Sequence, residues 1–309
     1  MILSYLAFKQ FSSPWVSIET LTFCGCRFNM YRNESTIGLY LHDEEPTIFL
    51  WTAIILGVVE GLTEFLPVSS TGHLIVMGHL LGFKGPTAVT FEIVIQLGAI
   101  LGVLFYLRHK LWLLLKGALS GGPQIFLFVG IGLAFLPAAF VGLWLHPYIE
   151  TYLFNPRTVA LALIGGGVAI LLVERYHPVF KFDALDQVKP LTALWVGIAQ
   201  VLALFPGVSR SGATIMGGLL VGMKRDVATE FSFFLSIPTM LIATSYDFYK
   251  NRDILVTDDL LALGLGLAMA FLTALVVVAT FLKFVRTHTF KSFAYYRLVF
   301  GFVVLMIMS

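Results

Sequence analysis

Eight apolar stretches dominate this chain, and six of them run uninterrupted for about the 20 residues that a helix needs to cross a bilayer. They lie at roughly Val89–Leu107, Gln124–Leu145, Arg157–Val173, Ala228–Tyr249, Leu260–Leu282 and Ser292–Met308. The other two are each broken near the middle. Ile48–Phe83 is interrupted at Pro67-Val68-Ser69-Ser70-Thr71-Gly72, and Leu191–Met223 at Pro206-Gly207-Val208-Ser209-Arg210-Ser211-Gly212. Non-helical backbone at membrane depth is tolerated only where it is buried in protein or lines a wet cavity. This pattern predicts an all-α polytopic membrane protein. With 58% hydrophobic and 12% charged residues, a soluble enzyme is excluded. A net charge of +2 with no long basic stretch gives no footprint for nucleic acid.

Loop charge decides whether the broken stretches cross the membrane or fold back. If both fold back, one face collects Arg108, Lys110, Lys116, Arg175, Lys181, Lys189, Lys224, Arg225, Lys283, Arg286 and Lys291, and the other keeps little beyond Arg157, Lys250 and Arg252. That is a strong positive-inside bias, and a single crossing by the second broken stretch would largely abolish it. The expected architecture is therefore six transmembrane helices plus two re-entrant helix-loop-helix hairpins, with both termini non-cytoplasmic.

An offset of 140, which carries Ser69 onto Ser209, also matches Gly57 with Gly197, Leu62 with Leu202, Phe65 with Phe205, Val68 with Val208 and Gly72 with Gly212. The match continues through Ile75/Ile215, Gly78/Gly218, Leu80/Leu220 and Gly82/Gly222. The two units, at about 48–107 and 188–249, begin on opposite faces. Inverted-topology repeats of this kind place their site near the midplane, where the broken tips meet. Residues 47–309 thus read as one integral membrane catalytic domain.

Residues 1–46 differ in composition from the rest. They mix polar and apolar residues without a span-length run or a signal cleavage site. The segment reads as a non-essential extension, with Met30 as an alternative start, or as an interfacial segment. The two cysteines, Cys24 and Cys26, both fall here, so neither a disulfide framework nor a zinc site is expected.

The chemistry gathers at the breaks. Glu60 and Glu64, four apart, share a helix face just before the first break. Carboxylates in an apolar helix cost about 2.5–3.5 kcal/mol each at the membrane centre, so they imply either a wet interface or a function. Ser69, Ser70, Thr71, Gly72 and His73 follow, supplying hydroxyls, N–H donors at a helix start and a base. A lone membrane histidine is often just a hydrogen-bonded structural residue. Beside Glu64 and three hydroxyls, His73 reads as a base toward Ser70, three residues earlier, or toward a water. On the second hairpin Arg210, between Ser209 and Ser211, can fork onto phosphate oxygens, with Thr214 adding a hydroxyl. The alternative for Arg210 is an ion pair with Glu60 or Glu64 across the pseudo-twofold axis. At the repeat positions of Glu60, Glu64 and His73 stand Gln200, Leu204 and Ala213, so one half is acidic and protic and the other basic. Together these residues suit a phosphorylated substrate on an apolar chain. Glu60 and Glu64 could hold a divalent cation, Mg²⁺ or Ca²⁺, and Arg210 would neutralise the transferred phosphoryl.

Two long motifs, Glu60-Gly61-Leu62-Thr63-Glu64-Phe65-Leu66-Pro67-Val68-Ser69-Ser70-Thr71-Gly72-His73 and Pro206-Gly207-Val208-Ser209-Arg210-Ser211-Gly212-Ala213-Thr214, resemble those of the bacterial undecaprenyl-diphosphate phosphatases associated with bacitracin resistance. The resemblance runs from about Ile48 to the C-terminus and meets no departure at the motif positions. It implies hydrolysis of undecaprenyl diphosphate to the monophosphate and inorganic phosphate, recycling the lipid carrier of peptidoglycan synthesis in the bacterial inner membrane. The implied partners are a polyprenyl diphosphate and the bilayer, with homodimerisation left open. The rival function is a transporter or flippase for a phosphorylated lipid, since broken helices in inverted repeats are a transporter architecture. A base beside a hydroxyl favours hydrolysis. A structural membrane subunit would leave the charged breaks unexplained.

Overall fold

The computed structural model describes residues 16–23, 26–33, 36–41, 46–83, 86–153, 155–176, 179–251 and 260–308. Ten α-helices carry the chain from residue 46 onward: α1 (Pro46–Thr63), α2 (Ser70–Leu80), α3 (Pro86–Leu119), α4 (Ile125–Tyr152), α5 (Pro156–Tyr176), α6 (Pro190–Gln200), α7 (Arg210–Leu220), α8 (Arg225–Asn251), α9 (Leu260–Phe284) and α10 (Lys291–Met308). Stretches in α3, α4, α5, α8 and α9 are long and apolar enough to cross a membrane by length and composition. The sixth expected span coincides with α10, an 18-residue helix. The expected broken stretches are the pairs α1–α2 and α6–α7. The termini Met1 and Ser309, and Arg252, lie outside the described residues.

Among the described residues, the expectation of an all-α chain holds from residue 46 and fails before it. Val16–Phe23, Cys26–Asn33 and Thr36–Leu41 form strands β1, β2 and β3 of an antiparallel sheet in that order. Pairing runs from Val16↔Arg32 to Phe23↔Cys26, and from Phe28↔Leu41 to Asn33↔Thr36, with a register shift between Ser17 and Glu19. These strands are rich in Thr, Ile, Phe and Tyr, which favour extended backbone and are too short a run for a span.

Each broken pair returns on itself. In the second, the segments entering α6 and leaving α7 are hydrogen-bonded to one another: Phe182 N–H donates to the Gly222 carbonyl at 3.1 Å and Lys224 N–H to the Phe182 carbonyl at 2.9 Å. In the first, Ala53 of α1 and Leu81 and Phe83 after α2 belong to one apolar cluster. The repeat is exact enough to be seen in single dihedrals. Ser69 and Ser209 have φ of 72° and 76°, and Gly82 and Gly222 have φ of 67° and 97°.

Each entering arm is packed against a helix outside the two repeats. Arm α1 packs on α9, and its counterpart α6 packs on α4, while α5 and α10 pack on one another. Glycines allow the close approach: a Cβ on Gly57 would stand 2.4 Å from the Gly266 carbonyl oxygen, and one on Gly197 would stand 2.3 Å from that of Ala134. On one face, bonds tie helix ends together. Glu174 of α5 accepts from Arg225 at 3.1 and 2.6 Å and from the Phe290 N–H at 2.9 Å. Lys110 of α3 pairs with Glu230 of α8 at 2.5 Å, and Lys224 with Asp183 at 3.5 Å. The basic residues in these bonds, Lys110, Lys224 and Arg225, are three of those that the charge bias assigned to one side.

Candidate active site

The two breaks meet in the interior. A residue with a side chain rarely adopts positive φ, at a cost of about 1–3 kcal/mol, so two serines in this conformation need surroundings that impose it. Much of that is supplied by Arg297 of α10, which is completely buried. Its Nη1 donates to the carbonyls of Pro67 at 3.2 Å and Val208 at 2.9 Å, and its Nη2 to those of Gly207 at 2.9 Å and Ala162 at 3.1 Å. Its Nε donates to the Leu163 carbonyl at 3.2 Å. One guanidinium thus holds the peptide groups just before both strained serines and ties them to α5. Ser211 adds a direct link, its hydroxyl donating to the Leu66 carbonyl of the opposite break at 2.7 Å.

Glu64 lies at the junction. One carboxylate oxygen accepts from the Ser70 hydroxyl at 2.5 Å and the other from Nη2 of Arg210 at 3.0 Å. Arg210 Nη1 reaches the Ser232 carbonyl at 3.4 Å, Nη2 also touches Met240 Sδ at 2.8 Å, and Nε is buried without a partner. Ser70 and Arg210 are the first residues of α2 and α7, so positive helix ends converge on this point. A cavity of about 420 Å³ opens beside it. Glu64, Ser69, Ser70, Thr71, Ser209 and Arg210 form its polar end, and α4 and α8 contribute apolar wall through Phe135, Ala138, Leu143, Ile242 and Tyr246.

Not every residue expected at the site is there. His73 is turned away from Ser70: its Nδ1 is 2.7 Å from the Ser69 carbonyl oxygen and its Nε2 2.6 Å from the Tyr296 hydroxyl, and its ring stacks on Phe300. With Nδ1 donating to the carbonyl, Nε2 accepts from Tyr296, and neither nitrogen faces the serine. The helical spacing of three residues that suggested the contact carries the ring onto α10. Thr214 is fully buried away from the cavity, bonding the Arg210 carbonyl at 2.9 Å and Ser232 Oγ at 2.6 Å. Ser211 is spent on the inter-tip bond, and Gly72 abuts Leu163.

The carboxylates fit a cation in part. Glu60 is 1% exposed and its Oε2 has no hydrogen-bond partner, while Glu64, Glu92 and Arg210 are its charged neighbours. Two further acids and a single guanidinium around Glu60 leave room for positive charge. Among the described residues no three His, Cys, Asp or Glu side chains converge as a cage. An ion that takes one or two carboxylates and completes its shell with phosphate oxygens and water, as Mg²⁺ does, suits this donor set.

Arg297, Tyr296, Glu92, Gln96 and Gln200 were not expected at the site. Arg297 and Glu92 sit within expected spans, and a charge in a span is itself a signal.

An acid, a serine and an arginine drawn from two broken helices thus meet beside a largely apolar cavity. The chain belongs to the bacitracin resistance protein BacA family, whose sequence pattern matches residues 53–303. It is 53% identical over 256 residues to an undecaprenyl-diphosphatase of Aromatoleum aromaticum, covering 82% of this chain and 92% of that one. An undecaprenyl-diphosphatase of Methylobacillus flagellatus is 51% identical over 263 residues, covering 84% and 97%, and one of Caldanaerobacter subterraneus is 49% identical over 258 residues, covering 83% and 95%.

Proposed function

We propose that this protein hydrolyses undecaprenyl diphosphate to undecaprenyl phosphate and inorganic phosphate, regenerating the lipid carrier for cell-wall polymers and conferring bacitracin resistance. The observation that carries the reading is the chain of contacts from Ser70 through Glu64 to Arg210, made across the two tips beside an apolar cavity. The terminal phosphoryl enters between Ser70 and Arg210, with the prenyl chain along α4 and α8. Arg210 exchanges its bond with Glu64 for phosphoryl oxygens, and the N–H groups opening α2 add donors.

Freed of Arg210, Glu64 takes the Ser70 proton as Oγ attacks the terminal phosphorus. The bond to the bridging oxygen breaks, and the lipid monophosphate leaves with that proton. Glu64 then takes a proton from water, whose oxygen attacks the phosphoseryl group; the Ser70 Oγ–P bond breaks, Glu64 returns its proton to Oγ, and inorganic phosphate is released. Glu60 and Glu64 would hold Mg²⁺ or Ca²⁺, which when bound supplies positive charge to the phosphate oxygens. His73 is a positioning residue in this scheme, tying the Ser69 carbonyl to Tyr296.

Six spans and two re-entrant hairpins in the bacterial inner membrane, with both termini outside the cytoplasm, complete the reading. The charge bias and the folding back of α6–α7 support it. The test is phosphate release from a long-chain prenyl diphosphate by purified protein in detergent, with and without chelator. Release that falls on chelation and returns with Mg²⁺ or Ca²⁺ is expected. Release unaffected by exhaustive chelation would remove the metal, and absent release with intact lipid binding would favour a flippase.

A further inference from the structure

Gln200 is 2% exposed, lines the cavity, and neither its Nε2 nor its Oε1 has a hydrogen-bond partner. A buried amide in that condition costs about 1–3 kcal/mol, so its retention asks what it meets. The repeat narrows the answer, because Gln200 occupies the position of Glu60, whose Oε2 is also unpartnered. Glu60 has Arg210 among its charged neighbours. The pseudo-twofold relation carries Arg210 onto Ser70, so Gln200 stands toward Ser70 as Glu60 stands toward Arg210.

Helix α6 runs parallel to α4. A Cβ on Gly130 would stand 3.0 Å from Ala193 Cβ, Gly197 meets Ala134, and a Cβ on Gly142 would stand 3.4 Å from Leu204. That register sets Gln200 level with Ala138, within the apolar wall that α4 contributes. The amide is thus a polar group set into the surface suited to an isoprenoid chain, and it lines the same cavity as Ser70 and Arg210.

We infer that Gln200 is the donor to the lipid-linked phosphate of the substrate, the one that is not transferred. The inference rests on the placement of the diphosphate between Ser70 and Arg210. A neutral amide suits this phosphate, because it remains on the product. An amide donates one hydrogen bond to the phosphate and adds no charge of its own, whereas a lysine or arginine here would add a charge–charge attraction and retain the monophosphate.

The test uses the full-length protein in detergent, with Gln200→Leu and Gln200→Met beside the wild type. Three probes are titrated: a prenyl methylenediphosphonate, a prenyl monophosphate and inorganic phosphate. Both variants should bind both lipids about 10–100-fold more weakly, the worth of one hydrogen bond to a charged group. Inorganic phosphate should bind as in the wild type, and thermal stability should be equal or higher, since an unsatisfied buried amide has been removed. Unchanged lipid affinity would overturn the inference. So would an equal loss for inorganic phosphate, which would place Gln200 on the transferred group, or a fall in stability, which would make it a packing residue. A failure of the diphosphate placement reads differently, as phosphate release indifferent to Arg210.

Discussion

Ser69 and Ser209 hold nearly the same left-handed backbone, each just before an eleven-residue helix, and they do different work. The Ser209 hydroxyl caps its helix, accepting from the Gly212 N–H at 3.1 Å, whereas Ser69 makes no side-chain cap. The second tip thus satisfies its own N–H groups and presents a guanidinium. The first keeps its helix start uncapped and presents a hydroxyl held by a carboxylate. A shared backbone shape thus carries different side chains at the two tips, a guanidinium at one and a carboxylate-held hydroxyl at the other.

The largest effect should come from the residue joining the two tips. Glu64→Gln removes the acceptor of the Ser70 proton and the partner of Arg210, so phosphate release should fall about 10⁴-fold, the upper end for general-base assistance. Near-normal turnover would mean that the tips act independently.

Arg297 should matter to both tips alike. Arg297→Lys keeps the charge but cannot make five bonds in one plane, and breaking a buried, fully bonded charge costs about 3–5 kcal/mol. Gly166→Ala tests the same contact from the other side, since its Cβ would stand 2.0 Å from Nη2. Both variants should unfold at lower temperature and lose turnover together. Full activity with lowered stability would make Arg297 a fold residue with no part in setting the tips.

A smaller effect is expected at His73, which supports the first tip only. His73→Ala removes two hydrogen bonds worth about 0.5–1.5 kcal/mol each, so turnover should fall about tenfold to a hundredfold with the pH profile of kcat unchanged in shape. Loss of one limb of that profile would return His73 to the role of base.

How far the sequence alone reaches follows the same division. The breaks, the repeat and the identities of Glu64, Ser70 and Arg210 are legible because Pro, Gly and charge interrupt apolar runs, and such interruptions need a reason. The direction of the His73 ring is not legible, because it depends on Tyr296 and Phe300 of a helix more than 220 residues away. Arg297 was visible as a charge within a span, but its partners are carbonyls, which leave no mark in a sequence. The strands of residues 16–41 escaped because membrane patterning, tuned to long runs, passes over short ones.

The central claim is that the reacting phosphoryl lies between the two tips, gripped by the fork of Arg210. Its most direct test is phosphate release from a prenyl diphosphate by purified Arg210→Lys protein at saturating substrate. The variant keeps the charge and loses the fork, and its rate should fall about 10²–10³-fold, as when a preorganised donor is withdrawn from a transition state. Release at the wild-type rate would contradict the claim and place the reaction away from the meeting of the tips.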